Sequence, residues 1–273
     1  MPKYNHAVYN PPLRTRDGEN LVIAVLGAMG MGKSSLLNAI LQECMFATGK
    51  SPEPVTKTIA HLTKAWRLPP VGRNVHIIDT PGMCDANLRD RDNADNIAQF
   101  FTSLSHGVSA FLIVIHVRET KLDSYTQNML RLFEELLGPP FWKYAVFVFT
   151  HVDEHLVPQL NVDIEELLDP EDGFAAVLRQ LDGFNIPPQA ELPLVFVSNI
   201  NTRNNDYAAE CFGYLYDTVA ARERKNGGRK FTCTFFQNVL SYQGLERRNF
   251  IIRSVKKAAN VVIPAIANSC AVM

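Results

Sequence analysis

The chain has 273 residues, 47% of them hydrophobic and 20% charged, with a net charge of −1. This is an ordinary soluble composition, with room for one large α/β domain plus additions or for two small domains, and the net charge points to no class of partner. The five cysteines (Cys44, Cys84, Cys211, Cys233, Cys270) are scattered and odd in number, with no C-x-x-C pair. That argues against a disulfide framework or a zinc site and favours a reducing compartment.

Residues 1–19 are polar and proline-bearing, which reads as a flexible segment rather than a signal peptide or a membrane span. Leu21–Leu26 is a continuous apolar run, as in a buried strand. Directly after it, Gly27-Ala28-Met29-Gly30-Met31-Gly32-Lys33-Ser34 fits GxxxxGK[ST] without mismatch, and Leu36, Leu37, Ile40 and Leu41 then recur at helical spacing. A glycine-rich turn between strand and helix aims backbone N–H groups at a polyphosphate, with the helix dipole behind them. Lys33 would reach the β and γ phosphates, the Ser34 hydroxyl would ligate Mg²⁺, and Ser35 would extend the phosphate contacts.

The polar segment from Lys50 to Thr58 fits a first switch loop. Thr56 is the favoured residue to meet Mg²⁺ and the γ-phosphate, acting with Lys33 in catalysis; Thr58 and Thr48 are alternates. Strands are then expected at Leu62–Leu68 and Val75–Asp79, antiparallel because only a short loop joins them. The second runs into Asp79-Thr80-Pro81-Gly82, a DxxG box. Its aspartate would hold Mg²⁺ through water, and the Gly82 N–H would sense the γ-phosphate. Met83 follows, where a Ras-like enzyme carries the glutamine that orients the attacking water, so intrinsic hydrolysis is expected to be slow.

Further along, helical patterns at Asn93–Leu104, Ser124–Leu137, Gly173–Leu181 and Tyr207–Arg222 alternate with strand-like runs at Ala110–His116, Ala145–Thr150 and Leu194–Ser198. This alternation predicts βαβ units and a three-layer α/β domain with a mostly parallel sheet. The run Ala145–Thr150 continues as Thr150-His151-Val152-Asp153. In GTPases N-K-x-D stands here, its aspartate accepting from N1–H and the exocyclic amine of guanine. Asp153 can do the same, Thr150 and His151 replace the usual pair, and the imidazole is expected to stack on the base. Asn199, after Ser198, would touch the base as well. His151-Val152-Asp153-Glu154-His155 also fits the zinc pattern H-x-x-E-H, but ligation by His i and i+4 needs a helix, and His151 ends a strand-like run.

These boxes, together with V-T-K-T at Val55–Thr58, I-I-D-T-P-G-M-C-D at Ile77–Asp85 and N-G-G-R-K-F-T at Asn226–Thr232, resemble the immunity-associated (GIMAP or IAN) family of septin-like P-loop GTPases over roughly Asn20 to Phe236. The resemblance implies a P-loop GTPase fold, binding of GTP or GDP with Mg²⁺, and assembly into homo-oligomers through the nucleotide-binding face. The segment Lys121–Thr126 departs from the family's R-[FY]-[ST]-x-E-[ED].

The domain expected to bind nucleotide spans 20–225. A basic helical extension follows at 226–257, where the stretch from Arg222 to Lys257 holds ten basic residues against two acidic ones. Residues 258–273 read as an apolar tail ending in Cys270-Ala271-Val272-Met273, a prenylation box with Cys270 as the lipidated residue. One lipid anchors only marginally, so the basic patch would be the second signal at an anionic cytosolic leaflet. The sequence therefore predicts a cytoplasmic, lipid-anchored switch protein with no nucleic-acid partner. A GTP-dependent membrane scaffold with negligible hydrolysis is the alternative, and a P-loop ATPase or kinase is disfavoured by Asp153 and DTPG.

Overall fold

The computed structural model of the protein describes residues 20–28, 30–46, 60–67, 74–79, 91–118, 122–153, 164–199 and 205–269. Six strands form one sheet: β1 (Leu21–Leu26), β2 (Ala60–Ala65), β3 (Asn74–Asp79), β4 (Ala110–His116), β5 (Ala145–Thr150) and β6 (Leu194–Phe196), in the order β2-β3-β1-β4-β5-β6. All neighbours are parallel except β2, which pairs antiparallel with β3. Helices α1 (Lys33–Leu41), α2 (Arg91–Leu104), α3 (Ser124–Leu137), α4 (Phe174–Gln180), α5 (Asp206–Lys225), α6 (Thr234–Ser241) and α7 (Gly244–Ser269) cover both faces. The architecture is a three-layer α/β fold with a mostly parallel sheet, as the sequence predicts.

The strands read as unbroken apolar runs because both of their faces are buried. In β5, Val146 and Val148 pack on the α1–α5 side, while Ala145, Phe147 and Phe149 face the α2–α3 side. Strand β4 divides the same way, with Leu112 and Val114 on one face and Phe111, Ile113 and Ile115 on the other. Helix ends carry local signals. The Asp123 carboxylate caps α3 by accepting from Thr126 N–H at 2.7 Å, and Asn205 caps α5. Helix α3 stops at Gly138 (φ 80°), and Pro139-Pro140 starts a 3₁₀ turn, Pro139–Tyr144, that the sequence patterns do not reveal.

Boundaries differ from the sequence reading in three informative places. Strand β2 stops at Ala65, opposite Asn74 where β3 begins. The next residue, Trp66, is buried edge-on against Tyr216 of α5, with ring centroids 5.2 Å apart. Strand β6 ends at Phe196 because Ser198 turns away to another partner. Beyond Asn226, the chain does not leave the core. Phe231 N–H donates to Val108 O at 2.7 Å, and its ring packs between Phe111 and Tyr144 at 5.5 and 5.4 Å. Helix α6 adds Phe235 and Phe236 to the same cluster, and α7 lays a buried stripe of Ile251, Val255, Ala258 and Val262 across α2 and α3. Helix α7 also runs on to Ser269, through most of what the sequence suggests is a tail. No helix among the described residues is long and apolar enough to cross a membrane.

Candidate functional site

The site lies at the C-terminal ends of the parallel strands, where chain order diverges on either side of β1; this is where open α/β sheets form a crevice. Strand β1 delivers the loop 27–34 into it. Gly27 has φ +145°, and a Cβ there would stand 2.5 Å from Val114 O, so the loop can leave the sheet only through glycine. Gly32 (φ +86°) is the N-cap of α1 and supplies no side chain to it. Lys33 folds back over the loop, its Nζ donating to Gly27 O at 2.9 Å and Ala28 O at 2.8 Å. Ser34 and Ser35 follow in the first turn of α1. Loop residues Gly30 and Met31 complete the turn; Met29 lies outside the described residues.

Asp79 ends β3, fully buried and in register with Val25 of β1, one strand from the loop. A serine hydroxyl at a helix start and a carboxylate at the adjoining strand end are hard oxygen donors, the kind that suit Mg²⁺. Ser34 and Asp79 would hold the ion, which would neutralise charge on a bound polyphosphate. The other residues assigned to this side, Thr56 with its alternates Thr48 and Thr58, and Gly82 with Met83 behind it, lie outside the described residues, as does Cys270.

The far wall is built by β5 and β6. The Thr150 side chain is fully buried, and its hydroxyl donates to Met31 O at 2.8 Å. Thr150 thus braces the phosphate loop. His151 takes the left-handed conformation (φ 63°), which swings the chain so that Val152 and Asp153 turn back toward the sheet. Its ring stacks on His116 at 4.1 Å, and burial followed by the neighbouring His116 pushes its pKa below the usual histidine value. Asp153 is 8% exposed, and Ser198 Oγ donates to its Oδ1 at 3.0 Å. Asn199 has both amide atoms buried without a hydrogen-bond partner among the described residues. A Cβ on Gly32 would lie 3.3 Å from Asn199 Nδ2, His151 Cε1 and Thr150 Oγ, so these three residues and the loop form one continuous wall.

A sequence profile described as the AIG1 family matches residues 21–186, more than half of the chain. The chain belongs to the AIG1 family. It is 30% identical over 142 residues to immune-associated nucleotide-binding protein 7 of Arabidopsis thaliana, an overlap of 51% of this chain and 43% of that protein. To immune-associated nucleotide-binding protein 13 of the same plant it is 27% identical over 219 residues, 74% of this chain and 63% of that one. The chain therefore spans less than two thirds of the length of these relatives. Among solved structures, a dimerization-deficient variant of Toc33 from Arabidopsis thaliana superposes with a TM-score of 0.53 at 19% identity, covering 77% of this chain and 86% of that one. The likeness extends to the fold, that of a P-loop GTPase domain, and the resemblance to the immunity-associated family is borne out.

Within this AIG1-family domain, the structure brings Gly27–Ala28, Gly30–Ser35, Asp79, Thr150, His151, Asp153 and Asn199 to the C-terminal edge of the parallel strands. Two participants are not singled out by the sequence. Ser198 is recognisable only as the residue that holds Asp153, and His116 only as an imidazole at a strand end, a position with no motif to flag it. Among the described residues no group of three or more His, Cys, Asp or Glu is placed to hold a metal. At the H-x-x-E-H match, His151 follows a strand in left-handed geometry, not a helix; Glu154 and His155 lie outside the described residues.

Proposed function

We propose that the protein is a guanine-nucleotide-binding switch that takes GTP and GDP with Mg²⁺ and hydrolyses GTP slowly. The observation that carries this reading is the base corner: the Asp153 carboxylate held by Ser198, and the next residue, Asn199, whose amide lies against Gly32 of the phosphate loop and has no hydrogen-bond partner among the described residues. A buried amide needs hydrogen-bond partners, and a bound base would supply them. A carboxylate there accepts the two donors of guanine's Watson–Crick edge, which adenine does not offer. The test is nucleotide affinity of the purified chain: GDP should bind far more tightly than ADP. Asp153→Asn should lose GDP and gain xanthosine diphosphate, whose edge presents the complementary acceptor. Equal affinity for GDP and ADP would refute the reading.

Lys33 and Thr56 are the residues proposed to act on the γ-phosphate, with Gly82 sensing it. Met83, which can neither accept nor donate usefully, favours a second reading, a GTP-dependent scaffold that oligomerises through the nucleotide-binding face with negligible hydrolysis. Turnover measured across protein concentrations separates the two, since absent hydrolysis with GTP-dependent oligomers supports the scaffold. Attachment to a cytosolic membrane leaflet through prenylated Cys270 and the basic residues Arg247, Arg248, Arg253, Lys256 and Lys257 is part of the same proposal. Cys270→Ser should release a tagged protein into the cytosol, and unchanged retention would count against it.

A further inference from the structure

His116 ends β4 and pairs in register with Thr150 of β5, so it stands beside the residue that precedes His151. The two imidazoles lie face to face, centroids 4.1 Å apart and planes 19° from parallel. The hydrogen bonds assign both tautomers. Thr150 has one hydroxyl proton, and its neighbours Met31 O (2.8 Å) and Ile115 O (3.4 Å) are carbonyls that can only accept. The 2.9 Å contact between Thr150 Oγ and His151 Nδ1 is therefore donated by the ring N–H. At His116, Nδ1 accepts the Arg118 backbone N–H at 3.1 Å, which leaves the proton of the neutral ring on Nε2. Each ring presents a flat π surface. Burial and the adjacent His116 and Arg118 oppose a charge on His151, against the opposite pull of Asp153.

His151 occupies a left-handed backbone position, uncommon for a residue other than glycine although histidine is among those that take it most readily. His116 covers one face of the ring, and Cε1 abuts the loop at Gly32. On the guanine-nucleotide reading, the opposite face would take the purine whose edge meets Asp153.

We propose that His116 is a positioning residue of the base site, its ring backing His151 so that the imidazole forms a fixed platform on which the nucleotide base stacks. The proposal rests on the guanine-nucleotide reading above. It replaces the aliphatic lysine stem of the N-K-x-D motif with two stacked aromatic rings. Stacking is indifferent to the exocyclic amine, whereas Asp153 reads it, so the two contributions separate in an affinity comparison of GDP with IDP, which lacks that amine.

The experiment measures GDP and IDP affinity of the full chain and of His116→Ala and His116→Phe, with a thermal melt of each. His116→Ala should weaken both nucleotides by the same factor, about 2- to 12-fold as expected for loss of one aromatic pair, with the GDP/IDP ratio unchanged. His116→Phe restores a flat ring and should bind like wild type. If His116→Ala does not fold, His116→Leu, bulky but not flat, takes its place and should be weakened relative to His116→Phe. The proposal is overturned if the non-aromatic variant binds like wild type, if phenylalanine fails to rescue, or if the GDP/IDP ratio shifts instead. Tight GDP binding that ignores His116 defeats this inference alone; a wild-type chain with no GDP preference over ADP defeats the reading beneath it as well.

Discussion

Replacing Thr150 with valine keeps the branched shape and removes one oxygen. The structure gives that oxygen two bonds: it donates to Met31 O, 119 positions away in the chain, and accepts from His151 Nδ1. The side chain is fully buried, so water does not take over either role. Two lost bonds, with a half-buried carbonyl and N–H left behind, amount to about 2–3 kcal/mol of stability. For a domain of this size that is a fall of about 4–12 °C in Tm. If about 1 kcal/mol of the loss is order in the phosphate loop, GDP affinity should fall about fivefold. Urea denaturation and calorimetric GDP titration measure the two quantities. Stability within about 0.5 kcal/mol of wild type, the range of a neutral surface change, would refute the brace. So would unchanged stability with nucleotide affinity abolished, the mark of a direct ligand contact.

Gly27→Ala places a Cβ 2.5 Å from Val114 O at φ +145°, whereas Gly30→Ala (φ +83°) meets nothing within 4 Å. The second should cost about 1–2 kcal/mol for its left-handed backbone and the first should prevent stable folding; equal urea midpoints would contradict the close approach. Phe231→Ala empties a site ringed by Phe111, Tyr144 and Phe236, and should cost about 3–5 kcal/mol. A loss below about 1 kcal/mol, far short of a core truncation, would mean that the chain beyond Asn226 is an appendage. His76 and His151 both have pKa values lowered from 6.5, chiefly by burial. Below that value the unfolded chain binds more protons than the folded one, so their stabilisation is present above pH 6.5 and is lost as pH falls through the lower folded values. Urea stability should decline from pH 7.5 to 5.5, with a shallower slope in His76→Gln; an identical slope in that variant would refute the assignment.

The phosphate loop was legible because its chemistry is local. Eight consecutive residues supply the backbone donors, and Gly27, Gly30 and Gly32 all take positive φ, which favours glycine. The strands were legible because burial on both faces leaves no polar alternation to mislead. Strand ends were less so: β2 stops where its partner starts, and its own residues do not record that. Thr150 falls in the position expected of a base contact, yet its hydroxyl points to the loop, because the partner it satisfies is a carbonyl supplied by a distant segment.

The sequence by itself determined the family, the α/β class and the order of the boxes, since each depends on short-range spacing. Only the tertiary structure decided what stands behind them. It placed His116 under His151 and Ser198 against Asp153 because parallel strands bring their C-terminal ends together irrespective of separation along the chain. It also drew Phe231, Phe235 and Phe236 into the aromatic core, since the α2–α3 face of the sheet carries more apolar surface than those two helices cover alone.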